Sequence, residues 1–234
     1  MWLALAIGLA LNLPLFAQTV KETKPPSEAR WEKDIRAFEA ADKTNPPPQD
    51  AVLFVGSSSI RLWKNLAQAF PRHKVLNRGF GGSELSDSVA FAHRIVIPYK
   101  PKLVVFYAGD NDIAAGKSPE RILNDFKAFA GRIHAALPAT HIAYIAIKPC
   151  PAREKYLDRV KAANHLIQEY SASDNRLLFL DVFTPMLAQD GRPRADLCIK
   201  DGLHPNEQCY ELWASIIRPV VDKYGAPTNG GKAP

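Results

Sequence analysis

The chain has 234 residues, 47% of them hydrophobic and 23% charged, with a net charge of +6. That length buries a full core in one domain, and the balance is that of an ordinary globular protein. The lysines and arginines are spread without a run of five and without interleaved aromatics, so the positive charge reads as a solvated surface and nucleic acid is excluded as a partner.

Residues 2–17 carry no charged side chain. The run is short for a membrane span, which needs about 20 apolar residues, and suits the hydrophobic region of a secretory signal peptide ending at Ala17. No Lys or Arg precedes it and Leu15 is large for the −3 position, so an uncleaved N-terminal anchor is the alternative. In both cases the rest of the chain is expected outside the cytoplasm, secreted or periplasmic, with membrane contact only through an uncleaved residue 1–17 segment. Residues 1–24 are set aside, one folded domain is expected over 25–225, and 226–234 reads as a disordered tail.

A helix is expected over Glu28–Asp42, with Pro46–Pro48 as connector. Five short apolar runs follow as strands: Ala51–Val55, Lys74–Asn77, Lys102–Ala108, His141–Ile147 and Leu177–Asp181. Amphipathic stretches over Ile60–Phe70, Leu85–Ile97, Pro119–Leu137 and Arg153–Tyr170 alternate with them, which is the pattern of βαβ units around a parallel sheet buried on both faces. Ser118-Pro119-Glu120 is a helix start, and Pro205 is expected to open a last helix running through Trp213 to Val221. Cys150, Cys198 and Cys209 lack the paired short spacings of a zinc site, so no metal is expected. Cys198 and Cys209 read equally as a disulfide and as two separately buried thiols.

Ligands of such sheets bind outside the carboxyl ends of the strands, and four polar clusters fall there or beyond. Ser57-Ser58-Ser59 follows a strand and Gly56; a serine there is either a helix cap or a nucleophile. Ile60 stands where the nucleophile elbow Gly-x-Ser-x-Gly has its second glycine, so the scaffold differs from the α/β-hydrolases. Asn77–Ser83 is glycine-rich but matches neither phosphate-binding fingerprint, which favours backbone N–H groups aimed at an oxyanion over a phosphate cradle. Gly109-Asp110-Asn111-Asp112 is explained as a turn better than as a metal site, and Asn111 has a side-chain amide to donate. Asp201-Gly202-Leu203-His204 supplies an acid and a base from one loop, with the Asp fixing the tautomer that lets the His deprotonate a serine. The other five histidines lie mostly in helical or strand patterns and read as surface or core residues.

Taken together, the four stretches resemble the SGNH hydrolase superfamily, the GDSL-type lipases and esterases, over nearly everything from Val52 to Tyr210. Gly56-Ser57-Ser58 is similar to the first family block, Gly-Asp-Ser, and places the nucleophile at Ser58, with Ser57 where the family usually has Asp. A subset of the superfamily shares the Gly-Ser-Ser-Ser start followed by a Trp, here Trp63. Gly82 is similar to the glycine of the second block, Gly109-Asp110-Asn111 to the third, and Asp201 with His204 to the fourth. The resemblance implies a flavodoxin-like α/β/α three-layer sandwich around a five-stranded parallel sheet of order 2-1-3-4-5. It implies ester hydrolysis through an acyl-enzyme on Ser58, with Asp201 and His204 completing the triad, Ser58, Gly82 and Asn111 forming the oxyanion hole, and no cofactor. The substrate is then a small-molecule, carbohydrate or lipid ester, with carbohydrate acetylesterase and lysophospholipase activities both open; the short chain leaves little room for a lid and favours small acyl groups. Tyr107, Phe80 and the Lys148–Arg153 loop are candidates to line the site. A secreted, non-catalytic binding module on the same fold is the rival from another class, and a phosphate-binding flavodoxin-like protein the third.

Overall fold

The structure, a computed structural model, describes residues 26–48 and 50–225. The expected signal peptide or anchor at 1–17 and the tail at 226–234 lie outside the described residues.

Helix α1 (Pro26–Thr44) leads into β1 (Val52–Gly56), α2 (Ser58–Arg61), α3 (Leu66–Ala69), β2 (Val75–Gly79), α4 (Leu85–Ile95), β3 (Leu103–Tyr107), α5 (Asp110–Ala114), α6 (Pro119–Ala136), β4 (His141–Ile145), α7 (Leu157–Ser171), β5 (Leu177–Leu180) and α8 (Glu207–Tyr224). All five strands are parallel and stand in the order β2-β1-β3-β4-β5, as expected. β1, β3 and β4 beyond His141 are apolar and buried on both faces because each face is covered, while edge strand β2 carries Asn77 and Arg78; the period of two deals the apolar residues alternately to two cores. Leu53, Val55, Val104, Phe106 and Tyr144 pack under α1, α4, α6 and α7. Val52, Phe54, Val105, Tyr107 and Ile145 pack against α2, α3 and α8. The first core is centred on the stacked Phe106 and Phe129 rings, 4.1 Å apart. In the second, Trp63 stacks on Tyr210 at 4.8 Å.

Three local expectations are corrected. The helix read over Ile60–Phe70 is two short helices, broken after Arg61 where Trp63 turns into the core between Phe54, Phe70 and Trp213. The helix read from Arg153 begins only at Leu157, after a 3-10 turn over Pro151–Tyr156 in which Arg153 itself is non-helical. Pro205 does not open α8: it pairs with Cys198, and Asn206 caps the helix by accepting from the Cys209 N–H at 3.0 Å. An Asn oxygen can satisfy that orphan donor whereas Pro carries no acceptor side chain. Ser118 caps α6 as expected, accepting from the Arg121 N–H. All three cysteines are free thiols, with Cys209 buried against Met186.

Candidate active site

The site is built where β1 leaves the sheet. Gly56 lies between Gly79 and Tyr107 in register. Its φ is +140°, and a Cβ there would fall 1.8 Å from the Tyr107 carbonyl oxygen, so only glycine fits. The Ser57 N–H donates to that same carbonyl at 3.0 Å, and the Phe80 N–H to the Gly56 carbonyl at 2.8 Å. These bonds carry the sheet's pairing one step past the strand ends and bring the serine run beside the glycine-rich loop.

Ser58 is the first residue of α2, so its N–H has no intrahelical acceptor behind it. Two side chains hold this helix. Asn77 donates to the Ile60 carbonyl at 2.7 Å while accepting from the Gly79 N–H, and the Tyr210 hydroxyl donates to the Ser59 carbonyl at 2.9 Å. The three consecutive serines are thereby told apart. Ser57 and Ser59 are fully buried with no partner for their hydroxyls among the described residues, while Ser58 Oγ sits 3.0 Å from His204 Nε2.

His204 comes from the long stretch between β5 and α8. Asp201 Oδ1 accepts from the N–H groups of Leu203 and His204, folding the loop into a turn on which Gly202 takes φ +64°. The other carboxylate oxygen, Oδ2, meets His204 Nδ1 at 2.6 Å. Burial opposes ionisation of Asp201, but the His204 ring and the two backbone donors override it and hold the carboxyl at about 2. One residue thus shapes the loop and fixes the imidazole tautomer.

Asn111, near the start of α5, reaches the glycine-rich loop by donating from Nδ2 to the Ser83 carbonyl at 3.0 Å. Gly82, one residue earlier, has φ +78°, open only to glycine without strain. Asp112 fastens the far end of this loop. It accepts from the Leu85 N–H and from Lys117, which also binds Glu84. Burial pushes its carboxyl up to about 6 in spite of those bonds. Behind Asn111 lies a buried cluster: Lys148 donates to Asp110 at 2.9 Å and to the Tyr107 hydroxyl at 3.1 Å. Burial works to discharge both Lys148 and Asp110, and their attraction wins, leaving the lysine protonated and the carboxylate ionised.

Tyr107 and Phe80, candidates to line the site, are fully buried in the two cores instead. Of the Lys148–Arg153 loop, Arg153 does reach the site, placing Nη2 2.9 Å from Asn111 Oδ1. Nothing in the motifs marks Arg153; only its position after β4, at the carboxyl edge of the sheet, does. A groove of about 560 Å³ between α1, Pro46–Pro48 and α4 shares no residue with this site. Among the described residues no cluster of His, Cys, Asp and Glu could hold a metal ion, and no helix is long and apolar enough to cross a membrane.

A model of the GDSL-like lipase/acylhydrolase family matches residues 49–212. The chain belongs to that family. It is a hydrolase of ester bonds. Comparison with curated proteins finds no match. Among solved structures, the fold of this GDSL-like hydrolase is similar to that of a GDSL-like lipase from Bacteroides thetaiotaomicron, with TM-score 0.71 and 20% identity over 81% of this chain and 98% of that one. A lipase/acylhydrolase from Enterococcus faecalis gives TM-score 0.64 and 18% identity over 77% and 100%. A carbohydrate esterase of family 3 from Talaromyces cellulolyticus gives TM-score 0.58 and 18% identity over 74% and 96%. At these identities the likeness is one of fold.

Proposed function

We propose that this GDSL-like hydrolase is an exported serine esterase that cleaves small carboxylic esters through an acyl-enzyme. The observation that carries this reading is the unbroken chain from Asp201 Oδ2 through the His204 ring to Ser58 Oγ, at 2.6 and 3.0 Å. His204 Nε2 takes the hydroxyl proton as Ser58 Oγ bonds to the ester carbonyl carbon, and Asp201 stabilises the imidazolium that forms. The carbonyl oxygen, now anionic, is received by the Ser58 and Gly82 N–H groups and the Nδ2 hydrogen of Asn111 that Ser83 leaves unused. Collapse breaks the bond to the alcohol, which leaves with the proton from His204. Water then enters, His204 takes its proton, and the acid is released with Ser58 restored. These steps draw only on the chain's own residues, without a cofactor.

Short connections at the carboxyl edge of the sheet favour small acyl groups. β1 passes directly to α2, β2 to α4 through 80–84, and β3 to α5 through 108–109. The two longer connections, 146–156 and 181–206, are occupied in holding Arg153 against Asn111 and Asp201 against His204. Export rests on the uncharged residues 2–17. A series of p-nitrophenyl esters from acetate to decanoate tests the chemistry: kcat/KM is expected to peak at acetate to butyrate and to vanish in Ser58→Ala. Undiminished turnover in Ser58→Ala refutes the acyl-enzyme, and a peak at decanoate refutes the small acyl group. The N-terminus of protein recovered outside the cytoplasm is expected at Gln18; recovery only from the cytoplasm with Met1 intact refutes export.

A further inference from the structure

Asn111 has both ends of its amide engaged. Nδ2 gives one hydrogen to the Ser83 carbonyl, and Oδ1 accepts from Arg153 Nη2. An amide turned over would set Oδ1 against the Ser83 carbonyl and NH2 against a guanidinium, two repulsive contacts, so these partners together decide which way the group points. Arg153 is itself anchored. Its Nη1 lies 3.3 Å from Asp110 Oδ2, the same oxygen that receives Lys148, and its side chain is only 19% exposed. Asp110 and Asn111 are consecutive, so a single guanidinium spans them.

The turn that carries Arg153 also touches the other half of the site. The Ala152 N–H donates to the Gly202 carbonyl at 3.1 Å, inside the loop between Asp201 and His204. Pro151 and Ala152 pack against Gly202, whose Cβ position would lie 3.5 Å from the Ala152 nitrogen. Adjacent residues of one 3-10 turn therefore hold the oxyanion amide and the acid-base loop.

We propose that Arg153 is a positioning residue of the oxyanion hole. It fixes the Asn111 amide with its second Nδ2 hydrogen toward the substrate, and it draws electron density from Oδ1 so that this hydrogen becomes a stronger donor as the oxyanion forms. The segment Pro151–Tyr156 keeps that donor in register with His204. The inference rests on the reading of Asn111 as an oxyanion donor.

A double-mutant cycle on kcat tests it, with Arg153→Gln and Arg153→Lys made in the wild-type and Asn111→Ala backgrounds. In the wild type, Arg153→Gln is expected to lower kcat about ten- to a hundredfold, less than the 10²–10³ of losing a donor outright, with KM little changed. Arg153→Lys, which keeps a charged donor, is expected to recover part of the loss. In the Asn111→Ala background, Arg153→Gln is expected to change kcat by less than about twofold, because the group it positions is gone. Equal losses in both backgrounds, which a merely structural role would give, overturn the proposal, as does wild-type kcat in Arg153→Gln. A fluorophosphonate probe separates this from the parent reading. If wild-type Ser58 is labelled and the losses are additive, Arg153 alone loses its role; if Ser58 is not labelled, the serine mechanism falls first.

Discussion

His204 Nε2 stands 3.0 Å from Ser58 Oγ across 146 residues of sequence. The contact depends on two independently built pieces: a helix start pinned by Asn77 and Tyr210, and a loop folded around Asp201. Asp201→Asn separates the two duties of that residue. The Asn oxygen still accepts from Leu203 and His204 and keeps the turn, but its NH2 faces Nδ1 and forces the wrong tautomer. kcat is expected to fall on the order of 10⁴-fold with KM nearly unchanged in steady-state ester hydrolysis.

Removing the Asn111 amide tests the oxyanion assignment. Asn111→Ala is expected to lower kcat on the order of 10²–10³-fold while KM moves little, because the donor serves charge that exists only in the transition state. An effect confined to KM would mean that Asn111 binds the ground state.

Gly56→Ala tests how the serine is delivered. The added Cβ meets the Tyr107 carbonyl at 1.8 Å, and φ +140° is unfavourable for alanine. Relief requires β1 and β3 to separate at their carboxyl ends. A loss of more than about 3 kcal/mol is expected in urea unfolding, beyond ordinary backbone strain of 1–3 kcal/mol.

Asp112 gives the protein a measurable pH response. Its carboxyl is raised in the folded state, so between 3.8 and about 6 the native protein holds a proton that the unfolded chain has released. Stability should therefore fall as pH rises through that window. The stability of wild type minus that of Asp112→Asn, followed by urea unfolding at pH 4, 5 and 6, is expected to decrease as pH rises. Identical slopes would contradict it.

Strand periodicity and the four polar clusters made the parallel sheet, the serine run at 57–59 and the Asp201–His204 pair legible in the sequence, while the strand order and the choice of Ser58 came from the family resemblance. A buried parallel sheet leaves a strong apolar signal, and the residues proposed as catalytic fall where such a sheet must end. The break after Arg61 was not legible, because the helical spacing continues through Trp63 and only the aromatic core decides where that ring goes. The Lys148–Arg153 loop was legible as a candidate lining, but the contact of Arg153 with Asn111 was not, for a related reason. The partners of this arginine, Asp110 and Asn111, lie some forty residues away on another strand end, and a lone Arg in a Pro-rich turn carries no periodic or motif signal.

The most direct test is to treat the protein with a fluorophosphonate, digest it and locate the adduct by mass spectrometry. Labelling of Ser58 alone, lost in His204→Ala, is the predicted result. An adduct on Ser57 or Ser59, or none at all on protein that hydrolyses esters, would contradict the account.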